Sequence, residues 1–222
     1  MSFVAKNHFV AFIDLLGFSS MVKKDLEAPD GTNKYMEELF RVHQETIQLA
    51  GGVINLDVVQ FSDSVILATE FKKENFNEFL WLITKYQFTL FSRGILSRGG
   101  VAYGKHYYNN GFLYSLGLIE AYNIESKIAK NPRVIVSSDL LELLYENEEA
   151  MVTSKLPLIK ENDGLLFLDY LSFCEDGIEL FLDTITRGLE NGDPKVREKY
   201  NWLSDYIKYK FPEANLSNNR FK

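Results

Sequence analysis

The sequence predicts an α/β (α+β) sandwich: a mostly antiparallel sheet with helices packed on one face, of the ferredoxin-like kind built from split βαβ units. Three observations predict it. Strand-like and helix-like segments follow in the order strand, helix, hairpin, helix, strand, helix, strand, helix. Two of the strands are joined by a loop too short for anything but antiparallel pairing. The 222 residues are 46% hydrophobic and 14% aromatic, enough to bury one substantial core.

Residues 8–13 read as the first strand, rich in Phe, Val and Ile and broken by Gly17. Residues 34–49 carry Met36, Leu39, Phe40 and Ile47 near helical spacing, with Asn33 as a candidate cap and "AGG" (50–52) as a stop. Segments 53–60 and 64–69 form the hairpin, with Phe61, Ser62 and Asp63 between them. Residues 75–92 are a long aromatic helix. "LSRGGVAYGKHYY" (96–108) is a strand whose Gly99 and Gly100 mark a bulge or a close backbone approach. Helix 116–130 ends before Pro132. A short strand (133–138) and a helix (138–150) capped by Ser138 or Asp139 follow. One or two strands lie within 156–174. The division expected is a main domain over 1–177 and a helical extension over 178–222, interrupted near "NGDP".

A net charge of −7 argues against a general nucleic-acid binder. The lone Cys174 allows no internal disulfide and reads as a small buried apolar residue. No Cys/His cluster has zinc spacing, and His8, His43 and His106 fall on separate segments, which argues against a joint histidine site. No apolar run is long enough to span a membrane, and the N-terminus lacks a signal-peptide pattern, so a cytoplasmic protein is expected.

Two acids interrupt apolar stretches: Asp14 in "FIDLLGFSS" and Asp63 in "FSDSV". If the first strand lies beside the hairpin, both carboxylates reach one edge of the sheet. Two close carboxylates repel unless a cation separates them, and Mg²⁺ or Mn²⁺ suits oxygen ligands. A turn at Gly17 would point the backbone N–H groups of Leu16, Gly17 and Phe18 outward to cradle phosphate. Asp also favours strand ends and turns, so spacing alone leaves a metal pair and ordinary turn chemistry both open.

Taken together, "FIDLLGFS", "FSDSV", "LSRGGVAYG", "GLIEAYNIESKIA" and "PRVIVSSDLLELL" resemble, in order, the catalytic domain of the class III adenylate and guanylate cyclases, over roughly residues 8–172. The resemblance implies that residues 1–177 are a cyclase-like catalytic domain. It implies Asp14, Asp63 and the Leu15 carbonyl as ligands of two divalent ions, Mg²⁺ or Mn²⁺. It also implies attack of a ribose 3′-hydroxyl on the α-phosphate, and a head-to-tail homodimer. The pattern departs where purine cyclases read the base and stabilise the transition state. Val59 and Tyr114 hold the base-reading positions, and Ala121 and Glu125 replace the transition-state Asn and Arg. This variant looks more like the bacterial pyrimidine cyclases of the Pycsar antiphage system. It implies cyclic UMP or CMP made from UTP or CTP and sensed by a separate effector. Arg98 and Lys160 are the candidates for the positive charge missing at Glu125. A cyclase fold reduced to binding a nucleotide or a partner is the alternative, and another palm-like phosphotransferase a third reading.

Overall fold

The computed structural model describes residues 4–50, 55–174, 177–214 and 216. The stop expected at 51–52, the start of the hairpin at 53–54 and the polar end of the tail beyond 216 lie outside the described residues. Strand β1 (Lys6–Leu15) leads into Gly17, whose φ of 81° is open to glycine at little cost, and from there into α1 (Phe18–Leu26). Helix α1 is absent from the sequence expectation because it buries only Met21 and Asp25 and so shows no apolar stripe. Its Asp25 Oδ2 accepts the Met36 N–H at 2.8 Å and caps α2 (Lys34–Ala50), the role expected of Asn33.

Strands β2 (Leu56–Phe61) and β3 (Ser64–Glu70) pair around a two-residue turn, Ser62-Asp63, with Ser62 at φ 56°. Helix α3 (Lys73–Ser92) is the long aromatic helix, and its stripe is core: Phe76, Phe79, Leu80, Ile83 and Leu90 are fully buried. Then come β4 (Ser97–Asn109), a short β5 (Phe112–Ser115) that the sequence did not announce, α4 (Leu116–Lys127) and β6 (Val134–Val136). The single helix expected over 138–150 is two, α5 (Ser138–Leu144) and α6 (Glu148–Thr153). Ser137 caps the first, one residue before the expected caps, and Asn147 caps the second. Strands β7 (Leu158–Lys160) and β8 (Leu166–Leu168) form a hairpin, and α7 (Leu182–Leu189) and α8 (Pro194–Lys210) follow, the latter opened by Asp193 and Pro194 of "NGDP".

The sheet order is β2-β3-β1-β4-β6-β8-β7, with β5 on β4. Only β4 and β6 pair in parallel among the described residues. On one face Phe9, Ala11, Ile13, Val65, Leu67 and Val101 meet α3. On the other, Val10, Phe12, Ile66, Ala68 and Ala102 meet Ala121 of α4. Helices therefore lie on both faces, not one. The reason is a strip of small residues. A Cβ on Gly100 would sit 2.4 Å from the Ala121 carbonyl, and one on Gly104 would sit 2.7 Å from the Gly117 nitrogen. Backbone meets backbone there, so α4 lies directly on β4.

The C-terminal extension shares the core of the main domain. Leu203, Tyr206 and Ile207 of α8 are buried with Phe91, Leu96, Phe167 and Tyr170, and Leu16 packs against the same cluster. Asp169 fastens it, accepting from Tyr206 Oη and Lys210 Nζ, each at 2.6 Å. Arg133 is buried against Glu161 and Asp163, and Glu161 also accepts the Trp202 Nε1–H at 2.8 Å. Cys174 is buried, and its thiol donates to the Gly177 carbonyl at 3.2 Å. No helix among the described residues is long and apolar enough to cross a membrane.

Candidate active site

Strand pairing brings the two acids together. Asp14 stands opposite Ser64 in β3 and Arg98 in β4, and Asp63 is the residue just before Ser64. The Leu15 N–H donates to the Asp63 carbonyl at 2.8 Å, which pins the hairpin turn to the end of β1. Alternation puts Asp14 on the same face as Val10 and Phe12, the face covered by α4. Leu15 points the other way into the core, so only its backbone can meet a ligand.

Helix α4 adds a third carboxylate. Gly117, Ala121 and Glu125 are four residues apart and share one face of the helix. Because the first two rest on β4, Glu125 comes down beside Arg98. Glu125 is only 4% exposed, and its Oε1 lies 2.7 Å from Arg98 Nη2, close as an ion pair but not aligned as a hydrogen bond. Arg98 Nε donates to Asp14 Oδ2 at 3.1 Å. One guanidinium thus bridges a carboxylate from β1 and one from α4. Asp63 has no side-chain partner among the described residues.

Electrostatics follow the crowding. Burial pushes the Asp14 carboxyl above its ordinary range against the pull of Arg98; the Asp63 charge adds to the push and the Lys199 ammonium opposes it. Burial also pushes Glu125 up, opposed by Arg98 and reinforced by Asp14 and Asp63. Asp14 and Glu125 therefore both lie in the field of the Asp63 charge. Lys199 was not among the sequence candidates. It comes from α8, which packs past Leu16 and Leu96, and nothing local in the sequence ties residue 199 to residue 14.

Beside the acids, α1 opens without a side-chain cap. The Leu16 N–H, expected to face a phosphate, instead donates to the Leu96 carbonyl at 2.9 Å. The N–H groups of Gly17, Phe18 and Ser19 have no acceptor among the described residues. Three free donors at a helix N-terminus favour an anion.

The remaining candidates lie elsewhere. Val59 faces the same side as Phe12 through Ile66, two strand spacings or about 10 Å from β1. Tyr114 pairs with Tyr107 of β4, about 30 Å along the strand from Arg98, and is 72% exposed. Lys160 is on β7, four strand spacings or about 19 Å from β1, and pairs with Glu148 at 2.9 Å. Within one chain neither Tyr114 nor Lys160 joins Asp14.

A second polar group lies at the far end of the same face, where His8 and His106, expected to be apart, approach to 4.8 Å between ring centroids. His106 Nδ1 lies 2.9 Å from Ser115 Oγ, which in turn accepts the Leu118 N–H at 3.0 Å. The serine hydroxyl therefore bonds the imidazole while a lone pair of its oxygen caps α4. Burial drives the His106 pKa down to about 4.

No family model matches the chain, and no curated protein matches it in sequence. Solved structures similar to it in chain path include the guanylyl cyclase Cya2, at 12% identity and a TM-score of 0.44 over 76% of this chain and 93% of that one. The adenylyl cyclase CyaB from P. aeruginosa is similar at 15% identity and a TM-score of 0.47, over 65% and 83%. A class III adenylyl cyclase-like ATP-binding protein from Pseudomonas aeruginosa is similar at 13% and 0.39, over 94% of this chain and 44% of that one.

Among the described residues no three His, Cys, Asp or Glu side chains form a closed metal cage. The donors present suit a different arrangement. Asp63 has no side-chain partner among the described residues, Asp14 is pushed up by burial with the Asp63 charge adding to it, and a buried Glu125 oxygen lacks a hydrogen-bond donor. Mg²⁺ commonly takes one or two carboxylates and fills its shell with phosphate oxygens and water. The residues fit that use.

Proposed function

We propose that the chain is a metal-dependent nucleotide cyclase of the class III type, acting on a pyrimidine nucleoside triphosphate, UTP or CTP, to give the 3′,5′-cyclic nucleotide and pyrophosphate. The observation that carries the proposal is the juxtaposition of Asp14 and Asp63, locked by the Leu15–Asp63 backbone bond, with the free N–H groups that open α1. Two divalent ions on Asp14, Asp63 and the Leu15 carbonyl would lower the pKa of the attacking ribose hydroxyl and offset phosphate charge. The N–H groups of Gly17, Phe18 and Ser19 bind the phosphate chain. Arg98 and Lys199 supply positive charge as negative charge shifts to the leaving pyrophosphate. Val59 offers the base an apolar contact with no hydrogen-bonding group, which removes the reading device a purine cyclase would need.

The spread of Tyr114 and Lys160 away from Asp14 supports a shared site in a head-to-tail homodimer, each chain supplying what the other lacks. Exposed Phe112, Tyr114, Leu116, Ile119 and Tyr122 on β5 and α4 suit such a contact. The resemblance to Pycsar cyclases extends the proposal to an alarm signal in antiphage defence, read by a separate effector. The Arg98–Asp14 pair favours a second reading, a nucleotide-binding module without turnover, since a guanidinium already answers one of the metal carboxylates. Incubation with each of the four labelled nucleoside triphosphates and Mn²⁺, with product identification, separates the two. Cyclic UMP or CMP is expected. Nucleotide bound and recovered intact would establish the second reading instead.

A further inference from the structure

Two carboxylates, Asp14 and Glu125, share one guanidinium at contact distance, and a third, Asp63, stands beside Asp14. Arg98 reaches Asp14 with Nε at 3.1 Å and Glu125 with Nη2 at 2.7 Å, and its Nη1 lies 3.5 Å from the Ala129 carbonyl. Glu125 cannot leave. Its side chain is 5% exposed, and the close seat of α4 on Gly100 and Gly104 fixes the helix that carries it. Asp14 is the looser partner, with a side chain 19% exposed and beside the unpaired Asp63. A buried carboxylate stripped of its only cation is strongly destabilised, so the fold needs a cation on this cluster even without ligand.

We propose that Arg98 is a built-in counter-cation: it occupies the Asp14 seat until a divalent cation arrives, and Glu125 then retains it beside the site as an anion-binding group for the substrate's phosphates. This rests on the reading of Asp14 and Asp63 as metal ligands. The two bonds differ in kind, and the difference sets the direction of motion. The Asp14 contact is a hydrogen bond from Nε to a partly exposed carboxylate, whereas the Glu125 contact is an ion pair through Nη2 that is shorter and more deeply buried. Replacing the Asp14 contact by a metal bond releases Nε and leaves Nη2 anchored. Glu125 is then a positioning residue, opposite in charge to the group it holds. Lysine could not substitute, because one ammonium lacks the fork that spans two carboxylates.

The test measures Mn²⁺ binding without nucleotide, by loss of the free Mn²⁺ signal in electron paramagnetic resonance, for the wild type, Asp63→Asn, Arg98→Met and Arg98→Lys. A side-chain ¹⁵N–¹H spectrum of the wild type titrated with Mg²⁺ gives a second readout. The proposal expects Arg98→Met and Arg98→Lys both to bind Mn²⁺ tighter, on the order of tenfold. It also expects Mg²⁺ to shift the Nε–H resonance that Arg98→Lys removes. Tighter binding in Arg98→Met but not in Arg98→Lys would mean a through-space charge effect only and would overturn the displacement. An unmoved Nε–H resonance in a protein that binds Mg²⁺ would overturn it too, and needs no variant to fold. If wild type binds no Mn²⁺, or Asp63→Asn binds as wild type does, the metal reading itself fails and the proposal with it.

Discussion

Asp63 carries its charge at the tip of a two-residue turn, where no side chain among the described residues answers it. Asp63→Asn keeps the volume and removes the charge. We expect cyclic product to fall by roughly a hundredfold or more, with the thermal midpoint nearly unchanged because nothing in the fold depends on that carboxylate. Asp14→Asn differs in one respect: it also frees Arg98, so we expect loss of activity together with a change in stability, read by thermal unfolding beside the rate. Lys199 acts from a distance through Coulomb attraction. Lys199→Met should raise KM for the nucleotide a few-fold, with the effect shrinking as salt is added. A KM that does not depend on salt in the wild type would remove Lys199 from the site.

Helix α4 is the element that makes the site, and its position is written in glycines. Gly100→Ala forces a Cβ to within 2.4 Å of the Ala121 carbonyl and 2.6 Å of Ile124 Cβ. We expect a cost of about 1–3 kcal/mol in denaturant unfolding, and a displaced Glu125 with it. The N-terminus of α4 hangs on His106 through Ser115. Burial keeps His106 neutral, with its pKa at about 4, whereas the unfolded chain takes up a proton near pH 6.5. The depressed folded value means that stability is complete above pH 6.5. It falls between pH 6.5 and 4 by up to about 1.4 kcal/mol per pH unit. Unfolding curves across that range should lose this slope in His106→Gln. The strands and α3 were legible because their apolar periods are strong. Helix α1 was not, since it packs through two residues, and β5 was not, since its Phe-Leu-Tyr-Ser is too short to show alternation. Asp14, Asp63 and Gly17 were legible because each breaks a local pattern. The Arg98–Glu125 pair was not, since it depends on which face of α4 meets β4, and Lys199 was hidden behind the long return of α8.

At the scale of the molecule, a sheet with α4 lying on its middle strands leaves the acids at one end of the α4 face, while Tyr114 lies toward the other end of β4, on the edge made by β5 and turned to the opposite face. The proposed site, if it takes in both ends, would be completed by two chains run head to tail. Mixing inactive Asp63→Asn with an inactive Tyr114→Ala variant should therefore restore up to about a quarter of wild-type activity through one intact site per mixed dimer. No recovery in a mixture shown to exchange subunits would confine the site to one chain. The extension over α7 and α8 is fastened by Asp169 and shares the core. Asp169→Asn should thus loosen the whole unit cooperatively in a single transition, not melt the tail first.

The most direct measurement follows pyrophosphate and cyclic nucleotide together, with UTP or CTP and Mn²⁺, for the wild type and Asp63→Asn. The account predicts one pyrophosphate per cyclic pyrimidine nucleotide in the wild type and neither product from the variant. Equal product from both proteins, or a linear product, would contradict it.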